Sequence, residues 1–240
     1  MRAPLLCELH AHTTWSDGDL SITELVDVYG GAGFDVLCVT DHVGRSEAEW
    51  HDPRWRIAGE DEYEEYLAEI EREAWRAEIE YDLLLLPGLE LTYDDRDPTL
   101  AAHALAVGLR SLVSLDRGLE PALVDARAAG AALIAAHPYT PAAAAVVDRG
   151  TGRWAAAGQA LSDLVDRYEL INRRDIFPWV AEAGLCGVAC GDFHRPEHLH
   201  TWKTLLPCAA SETAIVSYLR SSGPAYLVDL AEPVPVEAAA

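Results

Sequence analysis

Five short apolar runs in this chain each stop at a histidine or a carboxylate, and that repeated ending constrains the fold more than any other feature. Leu5, Cys7 and Leu9 alternate up to His10, and Phe34 to Thr40 runs into Asp41-His42. Leu83 to Leu86, continued by Pro87-Gly88-Leu89, runs into Glu90; Ala131 to Ala136 stops at His137; Leu185 to Cys190 stops at Gly191-Asp192-Phe193-His194. Runs of this length with polar boundaries read as buried strands. Helical patterns fall between them. Ser21, with Glu24 three residues on, is a capping box that opens a helix through Ile22, Leu25, Val26 and Tyr29 and ends at Gly30-Gly31 or Gly33. Glu60 to Glu80 is an acidic helix with an apolar stripe through Tyr63, Tyr66, Leu67, Ile70 and Ala74. Helices are also expected around Leu119–Ala129, Phe177–Ala183 and Ser211–Arg220. Strand-then-helix alternation predicts a barrel or an open α/β sheet, whose sites lie at the carboxyl ends of the strands.

The residues at those ends are metal-competent. In an extended segment His10 and His12 point to one face, and Asp17 follows in a tight Ser16-Asp17-Gly18 turn. Tyr93 to Pro98 is rich in turn residues and Ala101 to Val107 reads as another strand, so an antiparallel hairpin would bring His103 beside Glu90. A carboxylate in so apolar a setting as Glu90 is costly unless paired or coordinated. One such histidine or carboxylate has an ordinary structural explanation; His10, His12, His42, Glu90, His137, Asp192 and His194 collected on one rim do not. Other segments carry less. The Val43–Gly59 connection holds Trp50 and Trp55, which either cover a substrate or, the preferred reading, pack the loop down, and His51, read as a surface residue. Pro141–Val147 reads as a helix and Gly150–Gly158 as a loop; Arg195 to Lys203, with His198 and His200, reads as a polar loop. Ala225–Leu230 is a closing strand at an edge.

Composition narrows the classes. At 240 residues, 50% hydrophobic and 24% charged, the chain is expected to form one globular domain over residues 1–230, with a frayed tail from 231 to 240. Its longest apolar runs are too short to span a bilayer, and the first residues lack a signal-peptide layout, so cytoplasmic residence with no membrane is the expectation. A net charge of −22, with Lys203 the one lysine, opposes binding to long nucleic acid. Cys7, Cys38, Cys186, Cys190 and Cys208 are odd in number and lie mostly in strand-like segments, which reads as free buried thiols.

The segments LHAHTTWSDG, VTDH, GLE, AHALAVGL, AAHP and GDFH, in that order across residues 7 to 194, resemble those of the PHP (polymerase and histidinol phosphatase) superfamily. The resemblance implies a distorted (β/α)7 barrel of the TIM-like kind, holding two or three divalent ions of manganese, iron or zinc. It implies nine ligands: His10, His12, Asp17, His42, Glu90, His103, His137, Asp192 and His194. One ion would take His10, His12, Glu90 and Asp192; Glu90 would bridge to a second held by His103 and His137; Asp17, His42 and His194 would hold a third. Some relatives have histidine where Asp17 stands, and an oxygen ligand there bears on which metal is preferred. Asp41 is placed to orient a ligand histidine rather than to bind metal itself.

Such a cluster implies a metal-dependent phosphoesterase, in which a metal-bridging water held by Glu90, Asp192 and His194 attacks the phosphorus with no covalent enzyme intermediate. Phosphate also calls for protein cations, and Arg195, Arg173, Arg174 and Lys203 lie beyond rim strands. The expected substrate is a small phosphate ester: a sugar, amino-alcohol or nucleotide phosphate. A nuclease or phosphodiesterase is a second reading, opposed by the charge. A metal-binding regulatory domain without turnover is a third, opposed by the complete ligand set. The sequence leaves the natural substrate and the oligomeric state open.

Overall fold

The computed structural model describes residues 3–47, 52–147 and 150–231; Trp50, His51 and the tail from 232 onward lie outside them. In chain order the elements are β1 (Leu5–Glu8), α1 (Ile22–Gly31), β2 (Val36–Val39), β3 (His42–Val43), α2 (Glu60–Tyr81), β4 (Leu84–Tyr93) and β5 (Ala102–Val107). Then come α3 (Leu119–Ala128), β6 (Ala132–Ala136), α4 (Pro141–Ala144), α5 (Arg153–Ala157), α6 (Gln159–Ser162), β7 (Arg167–Asn172), β8 (Asp175–Ile176), α7 (Pro178–Glu182) and β9 (Gly187–Cys190). A 3₁₀ turn over Pro196–His200, β10 (Trp202–Leu206), α8 (Glu212–Leu219) and β11 (Tyr226–Asp229) complete the described chain.

One sheet runs β11-β10-β1-β2-β4-β5-β6-β7-β8, with β9 parallel to β7. It curls until β1 meets β9. Ala11, just past β1, forms a parallel bridge with Phe193, just past β9. His12 N donates to Phe193 O at 2.8 Å and Phe193 N to His10 O at 3.0 Å. The ring β1-β2-β4-β5-β6-β7-β9 is thus a seven-stranded barrel closed at its site end. It is distorted because β5 runs antiparallel to both neighbours. At the other end β10 pairs antiparallel with β1, and Thr204 Oγ1 accepts from Ala189 N at 2.9 Å and donates to Ala189 O at 2.7 Å. β11 is the edge strand that the sequence predicts.

Strand alternation sorts the apolar residues into two layers. Cys7, Val36, Cys38, Leu86, Leu105, Ile134, Val188 and Cys190 fill the barrel, plugged from below by Ile215 and Leu219 of α8. Leu37, Leu85, Leu89, Ala104 and Leu133 face outward against α1, α2 and α3. The capping box forms as read: Ser21 accepts from Glu24 N and the Glu24 side chain accepts from Ser21 N. All five cysteines are free, Cys186 and Cys208 only half-buried. Two expectations change. Gly150–Gly158 is not all loop: α5 forms there because Trp154 is fully buried and donates from Nε1 to His103 O at 2.9 Å. The supposed polar loop around Lys203 gives way to β10 at Trp202. No helix among the described residues is long and apolar enough to cross a membrane.

Candidate metal centre

β1 breaks its own alternation where the site begins. Leu9 packs into the inner layer with Cys7, yet His10, next in sequence, also faces inward, toward Glu90 and Asp192. That switch brings His10 and His12 together, their Nε2 atoms 3.0 Å apart. Gly18 keeps the following turn tight: a Cβ there would lie 2.3 Å from His12 O. β4 brings Glu90 in, and the β4–β5 hairpin pairs Thr92 with His103, so His103 Nδ1 stands 3.1 Å from Glu90 Oε1, as the hairpin reading requires. His137 Nε2 meets the same oxygen at 3.1 Å. Asp17 Oδ1 faces His42 Nε2 at 3.4 Å, His194 Nε2 at 3.2 Å and His12 Nδ1 at 3.8 Å. The structure therefore gathers all nine residues in one cluster, with Asp17, His42, Glu90, His103, His137, Asp192 and His194 lining a cavity and His10 and His12 buried behind it.

Their donor atoms fit cations. His10 Nε2 and His12 Nε2 are each 3.3 Å from Glu90 Oε2 and 3.5 Å from Asp192 Oδ1. Each of those spacings is close to the separation, about 3.4 Å, of two ligands held about 2.1 Å from one tetrahedral metal. The buried Glu90 Oε2 and Asp17 Oδ1 accept no hydrogen bond, although imidazole nitrogens surround them. Each of these two oxygens faces several imidazoles at once rather than bonding to one of them. Among the described residues three groups converge closely enough to hold an ion: His10, His12 and Asp192; His10, Glu90 and His137; and His12, Asp17, His42 and His194. His12 thus sits with the third group as well as the first. His103 belongs to none of the three; its Nε2 faces Asp94 Oδ1 at 3.0 Å and its Nδ1 faces Glu90 Oε1 at 3.1 Å.

Without metal, these groups neutralise one another. Burial alone would lower the pKa of His10, but the carboxylates of Asp192, Glu90 and Glu169 hold it well above its ordinary value. Against the same burial, Glu90 and Asp94 push His103 up to about 10, and Asp192 and Asp17 push His194 up to about 10. Glu90 and Asp192 are held well below the carboxylate range, burial being outweighed by their histidines. Burial dominates at His42, which falls to about 3.

An outer set of side chains holds the histidines, and the sequence reading misses most of it. Glu169 Oε1 takes His10 Nδ1 at 2.8 Å, while its Oε2 accepts from His137 N at 2.6 Å and Asn172 Nδ2 at 2.8 Å. Its one sequence signal is a carboxylate inside the apolar run Tyr168-Glu169-Leu170-Ile171. Thr92 Oγ1 meets His42 Nδ1 at 2.7 Å and Thr151 Oγ1 meets His137 Nδ1 at 3.1 Å. Asp41 acts at one remove. It accepts from Thr13 N and Oγ1 and from Ser16 Oγ, and the Ser16 hydroxyl stands 3.4 Å from His12 Nδ1. Three residues at the site, His137 (φ 26°), Arg173 (52°) and Asp192 (43°), hold left-handed backbone that such side chains rarely adopt.

The four candidate phosphate cations separate. Arg173 lines the cavity, and its Nη2 reaches Asp192 Oδ2 at 3.1 Å and His194 Nδ1 at 3.0 Å. Lys203 cannot meet substrate: it is fully buried, with Nζ on Glu8 Oε2 at 3.0 Å and Thr201 Oγ1 at 2.8 Å. Arg174 turns to His200 O at 3.2 Å and Arg195 to Glu197 at 3.8 Å, and neither lines the cavity. Trp55 packs, as read, stacking on His42 at 4.6 Å while also lining the cavity. The cavity has a volume of about 240 Å³; Tyr139, Asn172 and Asp175 line it beyond the ligand set.

No protein-family model and no curated protein matches the sequence. Solved structures similar in fold include the following three. A two-domain protein of Bacteroides vulgatus containing a predicted PHP-like metal-dependent phosphoesterase aligns over 94% of this chain at 19% identity and a TM-score of 0.66. The chain spans 64% of that protein's length. PsfC of Pseudomonas syringae aligns over 95% of this chain and 92% of its own at 15% identity, TM-score 0.56. A candidate metal-dependent phosphoesterase of Bifidobacterium adolescentis aligns over 81% of this chain and 90% of its own at 15% identity, TM-score 0.53. At these identities the likeness is one of architecture, and the chain has the distorted-barrel fold of the PHP-like proteins.

Proposed function

We propose that this protein is a metal-dependent phosphoesterase of the PHP type that hydrolyses a small phosphate ester. One observation carries the reading: three groups of donors, His10-His12-Asp192, His10-Glu90-His137 and His12-Asp17-His42-His194, converge closely enough to hold an ion, and the Nε2 atoms of His10 and His12, 3.0 Å apart, each stand 3.3 Å from Glu90 Oε2 and 3.5 Å from Asp192 Oδ1. Divalent ions held there would lower the pKa of a water and polarise the phosphoryl oxygens. The protein's own residues supply the rest. Glu90, with an oxygen toward each half of the cluster, would join two ions, and Arg173 at the rim would take a phosphate oxygen. Glu169 fixes His10 so that its Nε2, not its Nδ1, faces the cluster. A cavity of about 240 Å³ suits a phosphoryl group with a compact alcohol. The net charge of −22 favours small esters over long nucleic acid. Names of similar proteins agree with this chemistry.

The test is phosphate or nucleotide release by the manganese-loaded protein from a panel of histidinol phosphate, sugar phosphates, mononucleotides, cyclic nucleotides and a short oligonucleotide. Selective turnover of one small ester class is expected. Selective cleavage of the oligonucleotide would replace this reading with a nuclease, and silence across the panel with metal bound would replace it with a binding role.

A further inference from the structure

The chain's one lysine, set aside above as a phosphate contact, belongs to a buried structure outside the barrel wall. Glu8, Lys203 and Tyr29 are all fully buried there, between β1, β10 and α1. Glu8 Oε2 takes Lys203 Nζ at 3.0 Å and the Tyr29 hydroxyl at 3.0 Å. Glu8 Oε1 does something different: it accepts three backbone N–H groups, from Leu9 at 3.1 Å, His10 at 3.2 Å and Gly191 at 2.8 Å. The first two are the amides at which β1 leaves its regular alternation and turns His10 inward. The third precedes Asp192 on the strand that closes the barrel. Gly191 has no room for a side chain, since a Cβ would lie 2.2 Å from Glu8 Oε2 and 2.3 Å from Lys203 Nζ.

We infer that Glu8, locked by Lys203, is a positioning residue for the metal centre: one carboxylate oxygen pins the two strand ends that carry His10 and Asp192. The physical need is plain. A buried N–H without an acceptor is costly, so without Oε1 the backbone at Leu9, His10 and Gly191 would relax, leaving the bridge at Ala11 and Phe193 to hold the two ends by itself. A misplaced ligand pair then holds its ion poorly, as when a partner of a metal-binding histidine is removed, typically about 10–100-fold in affinity. The acceptor, not the charge, is the working part. The lysine keeps the carboxylate in one rotamer and compensates its burial.

The inference rests on the metal-centre reading, and its test reads metal binding rather than turnover. Mn²⁺ alone is titrated into the EDTA-stripped full chain, followed by calorimetry and by the Mn²⁺ electron paramagnetic resonance signal. Two double variants are compared with the parent. Glu8→Leu/Lys203→Met replaces the pair by apolar groups and deletes the acceptor; Glu8→Gln/Lys203→Met deletes the charges and keeps an amide oxygen in place. The first is expected to lose about tenfold or more in affinity for one ion, with an altered signal, and the second to stay within about threefold of the parent. Equal, parent-like binding by both would overturn the inference, and so would equal loss in both while circular dichroism shows them folded. Should neither fold, Gly191→Ala pushes the same contact apart without deleting it and is expected to weaken one ion, whereas Tyr29→Phe, which touches only Oε2, is not. Parent-like Mn²⁺ affinity in Gly191→Ala would overturn the inference. A parent that binds Mn²⁺ but hydrolyses no ester would remove the phosphoesterase reading and leave this one standing; a parent that binds none would remove both.

Discussion

Glu90 joins more of the site than any other side chain. Its Oε2 lies 3.3 Å from His10 and His12 and 3.0 Å from His42, and its Oε1 lies 3.1 Å from His103 and from His137. Glu90→Gln keeps the shape and removes the charge, so Mn²⁺ affinity measured by calorimetry is expected to fall by about tenfold or more; unchanged affinity would contradict the account. The same residues set a pH dependence for the stripped protein. His10, His103 and His194 have folded pKa values above their ordinary ones, the last two at about 10. Their contribution to stability is complete below the unfolded histidine pKa of about 6.5 and fades as pH rises toward 10. The low-pKa carboxylates Glu90 and Asp192 contribute fully above about pH 4 and lose it only in acid. The Tm of EDTA-stripped protein should therefore fall between pH 6.5 and 9.5, while Mn²⁺ affinity, which requires deprotonated histidines, should rise over the same range. A Tm that climbs across that window would show that these histidines are not held protonated.

At the scale of elements, the turn after β1 and the helix after it respond differently to similar changes. Gly18→Ala puts a Cβ 2.3 Å from His12 O and should weaken Mn²⁺ binding along with lowering Tm. Gly31→Ala, at the end of α1 with nothing within 4 Å, should leave binding alone and match or exceed the parent in Tm. Equal effects on binding would mean the turn does not place Asp17. Ser21→Ala removes the cap of α1 and is expected to cost about 1 kcal/mol in denaturant unfolding with metal affinity unchanged. These elements were legible because their signals are local. The capping box, the period of α2 and the hairpin that joins His103 to Glu90 all follow from residues within about a dozen positions of each other. The misses are non-local. β10 forms because Trp202–Leu206 pairs with β1, nearly two hundred residues away in sequence. α5 forms because Trp154 finds the His103 carbonyl. Glu169 and Thr151 touch ligands they follow by many residues, and Lys203 is drawn inside by Glu8. A polar residue that reads as exposed in one dimension becomes buried when a distant partner satisfies it.

The whole molecule carries a net charge of −22, concentrated in part on α2 and in part on the cavity that gathers the ligands. Self-repulsion of that size opposes compaction, so monovalent salt should raise the Tm of the stripped protein through screening. Divalent ions should raise it further and at far lower concentration, because they bind the folded state at defined places. Equal potency of sodium and manganese at matched ionic strength would argue against a built metal centre. The barrel accounts for why the centre lies where it does: closure through Ala11 and Phe193 brings the first and last ligand-bearing strands together only at the end where their carboxyl termini emerge. The most direct test of the central claim is to strip the protein with EDTA, return Mn²⁺ in measured equivalents, and follow phosphate release from the ester that the panel selects. Hydrolysis absent in the stripped protein, rising with added metal and saturating at two or three equivalents per chain, is the predicted result. Hydrolysis that persists without metal, or that never appears although the equivalents are bound, would contradict it.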